Sequence, residues 1–267
     1  MANAIARVNV LGVGISILNL DSARETCFDA VKSAGFQGYV TITGVHGVME
    51  SQNDLELQKI HNRSFLSTPD GMPMVWLGKW GGAQEMDRVY GPDLMLEIME
   101  QGLPQKLKHY CYGGKPDVVE SLREKMCERF AGIEVVGVES PPFRTPTEED
   151  LEGLYQRLQE ARPHFLWIGL GTPKQEQFMA LFLKKYPNLT KNWGHGLLLL
   201  GVGAAFDFHA QYIKQAPLWM QRNGLEWFYR LCAEPARLWR RYSINNSLFI
   251  VKIIPAMMGL KQYPLVR

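Results

Sequence analysis

Only four of the 267 residues are cysteine (Cys27, Cys111, Cys127 and Cys232), and no two stand in a C-x-x-C spacing. This leaves neither a zinc ribbon nor a disulfide framework, as for a chain kept in a reducing compartment. Long apolar runs are missing too. The most apolar stretch, Leu248 to Leu260, is about half of the roughly 20 residues a spanning helix needs, and Lys252 and Pro255 interrupt it. No secretory leader is legible: the run from Val8 to Leu20 is broken at its start by Arg7 and Asn9, lacks a small-residue cleavage site, and reads as a strand and turn. The six histidines (His46, His61, His109, His164, His195 and His209) lack metal-ligand spacing and read as structural or surface residues. Neither a repeat nor a low-complexity segment is present.

What is there is an ordinary globular composition, 46% apolar and 21% charged, with one asymmetry. From Arg222 to the end, eight Lys/Arg face two acids, Glu226 and Glu234, a net of +6 in a chain whose total is +2, so residues 1–221 carry −4. Residues 224–242 interleave four arginines with large aromatics and lead into an apolar tail. Positive charge with apolar bulk points to a membrane surface and an anionic lipid rather than to nucleic acid. The competing reading is a solvated basic helix whose aromatics pack on the core.

Strand-like runs alternate with helical patterns over most of the length. Val8–Leu11, Tyr39–Thr43, Lys106–Tyr112, Ile133–Val138, His164–Leu170 and Leu197–Val202 read as strands. The last two are continuous apolar runs, as expected of parallel strands buried on both faces. Helices are expected from Asp21 to about Ser33, from about Asp54 to Asn62, after Gly113-Gly114, and after a capping box at Thr147 and Asp150. Repeated β-then-α order predicts an α/β class: a Rossmann-like, mostly parallel sheet with helices on both faces. Beyond about Leu225 the pattern becomes helical, basic and aromatic. We therefore expect a catalytic α/β domain over 1–224 and a helical, membrane-facing appendage over 225–267.

Three strand ends run into Gly-x-Gly: Gly12-Val13-Gly14, Gly169-Leu170-Gly171 and Gly201-Val202-Gly203. Such turns let main-chain N–H groups approach a phosphate, and equally serve as tight turns at sheet ends. The third glycine of a dinucleotide fingerprint is missing, as is G-x-x-x-x-G-K-[ST]. Asp-x-Asp, which holds a metal ion in many nucleotide-sugar enzymes, is also absent. Asp70, in the Pro/Gly-constrained loop of Leu66-Ser67-Thr68-Pro69-Asp70-Gly71, is either a base held at a strand's carboxyl end or an Asp capping its own turn. Arg88 precedes a helix start at Pro92-Asp93, where an anion could bind. Gln175, opening a polar helix start after Gly171, both donates and accepts hydrogen bonds, and Asp207 follows Gly203 in a similar setting.

In order along the chain, these segments resemble the WecG/TagA/CpsF glycosyltransferases (glycosyltransferase family 26). The resemblance runs from Val8–Gly12 through Pro69-Asp70-Gly71, Arg88–Leu94, Gly169–Glu176 and Gly201–Phe208 to Leu225–Leu231 and Glu234–Leu238. It implies an inverting, metal-independent transferase without a cofactor. The enzyme would move a hexosyl group (N-acetylmannosaminyl, glucosyl or related) from a UDP-sugar to a polyprenyl-diphosphate-linked saccharide. It would work at the cytoplasmic face of the cell membrane in surface-polysaccharide synthesis. Carried over by position, the base falls on Asp70, substrate-binding roles on Arg88 and Gln175 with Asp207 near the nucleotide, and the arginines of the membrane-contacting appendage on Arg230, Arg237 and Arg240. Arg88 is counted with Asp70 as catalytic. Thr41, Thr43, Gly113, Gly114, Gly171 and Gly203 are expected to bind substrate beside them, and Arg241 is expected to join the arginines that meet the lipid diphosphate and membrane.

Two positions depart from the family pattern. Ile42-Thr43-Gly44 stands where many members have Thr-x-Asn, and Lys214-Gln215-Ala216-Pro217 where many have Lys-Arg-Ala-Pro. Losing an amide and a cation leaves the donor sugar open. A nucleotide-linked oxidoreductase and a non-catalytic membrane-surface module are the competing expectations. No nucleic-acid partner is expected, and a homo-oligomer is left open.

Overall fold

A computed structural model describes residues 5–266, except for the side chains of Arg237, Arg240 and Arg241. In chain order its elements are β1 (Arg7–Val10), β2 (Val13–Ser16), α1 (Leu20–Lys32), β3 (Gln37–Thr43), α2 (Val45–Glu50), α3 (Leu55–Arg63), β4 (Leu66–Pro69) and α4 (Met72–Trp80). Then come α5 (Gly91–Gly102), β5 (Lys108–Gly113), α6 (Pro116–Arg129), β6 (Glu134–Glu139), α7 (Glu148–Ala161), β7 (Phe165–Gly169), α8 (Lys174–Lys185), β8 (Leu197–Gly201) and α9 (Ala205–His209). Three helices close the chain: α10 (Leu218–Arg222), α11 (Glu226–Ala233) and α12 (Pro235–Met257).

The α/β expectation holds: six strands form a parallel sheet in the order β4-β3-β8-β7-β5-β6. The registers Tyr110↔Leu166 and Trp167↔Leu200 fix its centre. Phe165 to Ile168 and Leu197 to Leu200 are fully buried, so the apolar runs of the sequence are strands covered on both faces. Thr147 and Asp150 form the expected reciprocal capping box on α7.

The start of the chain is a strand and turn, as expected, but it stands apart from the parallel sheet. The run after Arg7 is a separate antiparallel hairpin pairing Val8 with Ile15 and Val10 with Val13. Its turn residues, Leu11 and Gly12, both have positive φ, which matches the right-handed twist of the flanking strands. Gly12-Val13-Gly14 is therefore a hairpin turn and strand, with no helix start after it to receive a phosphate.

The chain divides into two compact units. Unit 1 takes the residues up to Leu20, Thr41–Tyr90 and the chain from Gln215; unit 2 takes Asp21–Val40 and Gly91–Lys214. Unit 1 has a core of the hairpin residues Val10, Val13 and Ile15 with Val48, Met74, Met86 and Phe249. Phe249 lies on α12, which packs against α2 and α11, so the C-terminal helix contributes to this core. The tail is tied as well: Asn62 Nδ2 donates to the carbonyls of Gly12 and Val266, and Asn9 Nδ2 to that of Tyr263. Unit 2 packs α7 and α8 onto β5, β7 and β8 through Tyr112, Leu154, Ile168, Phe178 and Leu199, each such side chain contributing about 1.5–3 kcal/mol when fully buried. Among the described residues no helix is long and apolar enough to cross a membrane.

Candidate active site

In unit 1 the chemistry gathers where β3 and β4 end. Asp70 follows β4 directly, and its N–H donates to the Thr43 carbonyl at 3.1 Å. Gly71, with φ +87°, turns the chain into α4 at once, so the carboxylate sits on a short, fixed bend. The next segment is laced on by Val89 N–H to the Pro69 carbonyl at 2.9 Å. Arg88 and Tyr90 flank that tie, and the Arg88 guanidinium lies 4.4 Å over the Tyr90 ring.

Helices α10 and α11 supply the rest. Arg88 Nη1 donates to Glu226 Oε2 at 3.1 Å and Nη2 to Gln221 Oε1 at 2.6 Å, while Gln221 Nε2 holds the Ala216 carbonyl. Burial pushes the Tyr90 hydroxyl well above its usual pKa; the nearby Glu226 and Asp70 charges push it further. Burial acts to lower the Arg230 pKa, but Tyr242, Tyr90, Glu226 and Glu234 outweigh it and raise it. Asp70, Arg88, Tyr90, Glu226 and Arg230 thus form one electrostatic cluster. The Arg237, Arg240 and Arg241 side chains lie outside the described residues, and only their place on α12 is recorded.

Thr41 and Thr43 are fully buried behind Asp70. Thr43 Oγ1 donates to Thr41 Oγ1 at 3.1 Å, accepts from Ser67 Oγ at 2.9 Å and lies 3.2 Å from His61 Nδ1. Those hydroxyls are turned into the interior, where they join β3, β4 and α3. His61 is itself fully buried, and desolvation, with the nearby Arg7 charge, lowers its pKa to about 4. It is therefore neutral at pH 7.

Unit 2 collects the remaining candidates at the carboxyl ends of β5, β7 and β8. β6 lies to one side of β5, with β7 and β8 on the other, so the loops after β5 and β7 part at this end of the sheet. Gly113 (φ +135°) has no room for a side chain: a Cβ would lie 2.6 Å from the Gly169 backbone. Gly114 N–H donates to the Gly169 carbonyl, and the Ser140 hydroxyl to that of Gly114. Gly171 (φ +75°) faces open space. Gln175 is buried and clips two strand ends together, accepting from Gly171 N–H at 3.1 Å and donating to the Gly201 carbonyl at 2.9 Å. Glu176, also buried, accepts from Thr172 Oγ1 and Gln175 Nε2, so a carboxylate already matches the amino end of α8. Gly203 lies beside Gln175 Oε1, and Asp207 is half-buried on the short α9. Among the described residues no group of three or more His, Cys, Asp or Glu converges.

Sequence reasoning did not single out Tyr90, Gln221 or Glu226 as site residues. Glu226 figured in the charge count and in the Leu225–Leu231 segment, and nothing local marks it as the partner of a residue 138 positions away.

Over residues 8–263 the sequence matches the glycosyl transferase WecG/TagA/CpsF family. A curated relative from Bacillus subtilis (strain 168), an N-acetylglucosaminyldiphosphoundecaprenol N-acetyl-beta-D-mannosaminyltransferase, is 28% identical over 183 residues. That stretch is 68% of this chain and 66% of the relative, just under two thirds of the relative's length.

Proposed function

Because the chain belongs to the WecG/TagA/CpsF glycosyltransferase family, we propose that it transfers a hexosyl group from a UDP-sugar to a polyprenyl-diphosphate-linked saccharide. The observation that carries this reading is Asp70 at the carboxyl end of β4, on a glycine bend, beside Arg88 and Tyr90. In single displacement with inversion, a base takes the acceptor hydroxyl's proton as that oxygen attacks the anomeric carbon and the C–O bond to UDP breaks. Asp70 is the acceptor's base, and Arg88 with Arg230 meets diphosphate charge, which is the role a metal ion plays elsewhere. In unit 2, Gly113, Gly114, Gly171 and Gly203 bring main chain close to the nucleotide, Gln175 holds their loops in shape, and Asp207 belongs to the nucleoside end.

Thr41 and Thr43 act from behind, by fixing the end of β3 under Asp70. The relative's name supports an N-acetylglucosaminyl-diphosphate lipid as the acceptor class. The donor stays at the level of a UDP-hexose, since Gly44 and Gln215 stand where many members have Asn and Arg. Residues 225–267 form the face that meets the membrane: Trp239, Ile250, Val251 and Ile254 are exposed there among basic residues. An oxidoreductase reading gives way to the family membership.

The test is a panel of UDP-sugars incubated with a lipid-diphosphate N-acetylglucosamine acceptor. Release of UDP that depends on both substrates is the expected result. Turnover of none of the panel would overturn the proposal.

A further inference from the structure

The side chains of Arg88 and Glu226 are mostly shielded from solvent, 12% and 18% exposed, and their ion pair joins the 87–90 segment to the first turn of α11. The Glu226 charge also bears on Tyr90 and on Arg230, so one carboxylate is paired with Arg88 and acts electrostatically on a second guanidinium and a phenol. The carboxylate is itself well placed, because a negative charge is favoured in a helix's first turn. Gln221 grips the other Arg88 nitrogen and is anchored in turn to the Ala216 carbonyl. The Tyr90 ring, 4.4 Å from the guanidinium carbon, adds a cation–π contact.

We propose that Glu226 is a positioning residue of the transferase: it fixes the orientation of the Arg88 guanidinium, so that α11 sets the active geometry of a residue on a distant segment. The proposal rests on the glycosyl-transfer reading only where it speaks of activity; the arrangement itself is separable. Arginine holds a diphosphate through a planar fork, and a fork pre-set in one orientation loses less freedom on binding than one that rotates. Misplacing such a group by about 1 Å can cost on the order of 10²-fold in rate.

The experiment uses the full chain as wild type, E226A, E226Q, R88A and the R88A/E226A double variant. Nitrogen-detected NMR of the arginine side chains comes first. Restricted rotation gives distinct Nη1 and Nη2 signals for Arg88 in the wild type, and these merge in E226A while the backbone spectrum stays folded. Kinetics on UDP-sugar and lipid-diphosphate acceptor follow. E226A is expected to lose about 10²-fold in kcat/KM, mostly in kcat, with E226Q intermediate. In the R88A background, E226A should add less than about 2-fold, because both changes remove the same interaction.

Arg88 signals that stay distinct in E226A, or losses that multiply in the double variant, overturn the proposal. A wild type that turns over no UDP-sugar but shows the NMR response overturns the transfer reading and leaves the Glu226–Arg88 arrangement supported.

Discussion

Gly44 lies against Asp70: a Cβ at position 44 would come within 2.8 Å of the Asp70 carbonyl oxygen and 3.3 Å of its Oδ2. The end of β3 and the bend after β4 meet here without a side chain between them. Gly44 is also where many family members carry Asn, so the departure falls on the residue that abuts the proposed base. Because the closest atom is backbone, G44N must displace the Asp70 bend rather than a flexible chain end. We expect the variant to fold, with a thermal midpoint lowered by a few degrees, and to lose at least about 10-fold in kcat. Steady-state kinetics beside a melting curve check both; unchanged kcat would show that the bend tolerates a side chain.

Removing the charge of Asp70 tests the base. D70N keeps size and shape, so its melting temperature should stay within about 2 °C of wild type. Transfer should fall by about 10²–10⁴-fold, the usual contribution of a positioned general base. Near-normal turnover would move the base elsewhere.

Acid should loosen the protein over a defined window. Folded His61 takes a proton only near pH 4, whereas unfolded it does so near 6.5. Below pH 6.5 the unfolded chain therefore binds the extra proton, and stability falls as pH drops from 6.5 to about 4, then levels off. This site accounts for about 2 kcal/mol by pH 5 and about 3 kcal/mol in full. His109, buried and lowered to about 3, acts in the same direction. Urea midpoints at pH 7 and pH 5 should show the drop, and H61Q should show a shallower one. An equal slope in that variant would remove His61 as a source.

Membrane binding is best tested by point changes. Truncation after Leu225 would also take the buried Leu238 and Phe249 out of unit 1. Ile250, Val251 and Ile254 are half or more exposed, so I250S/V251S/I254S should leave the fold intact. It should weaken sedimentation with anionic vesicles about tenfold or more. Added salt should weaken wild-type binding further, since Lys252 and Lys261 act through screened charge. Undiminished binding of the triple variant would place the contact elsewhere.

The sequence determined by itself what repeats locally. Period and apolar content marked the sheet strands, the Thr147–Asp150 box marked a helix start, and Pro69-Asp70-Gly71 marked a rigid acidic bend. These are short-range facts, decided by backbone sterics and the burial each side chain prefers. It left Gly12-Val13-Gly14 open between a phosphate loop and a tight turn, because both use glycine for the same φ freedom, and the fold decided for the turn.

Tertiary structure decided which polar groups answer one another. Thr41, Thr43 and Gln175 looked like ligands for a substrate, yet their side chains bond to His61, Ser67, Gly171 and Gly201 inside the protein. Glu226, one of two acids in a basic tail, became the partner of Arg88. A hydrogen bond or ion pair depends on separations of about 3 Å in space, which the chain reaches from any distance in sequence, so no local pattern encodes it.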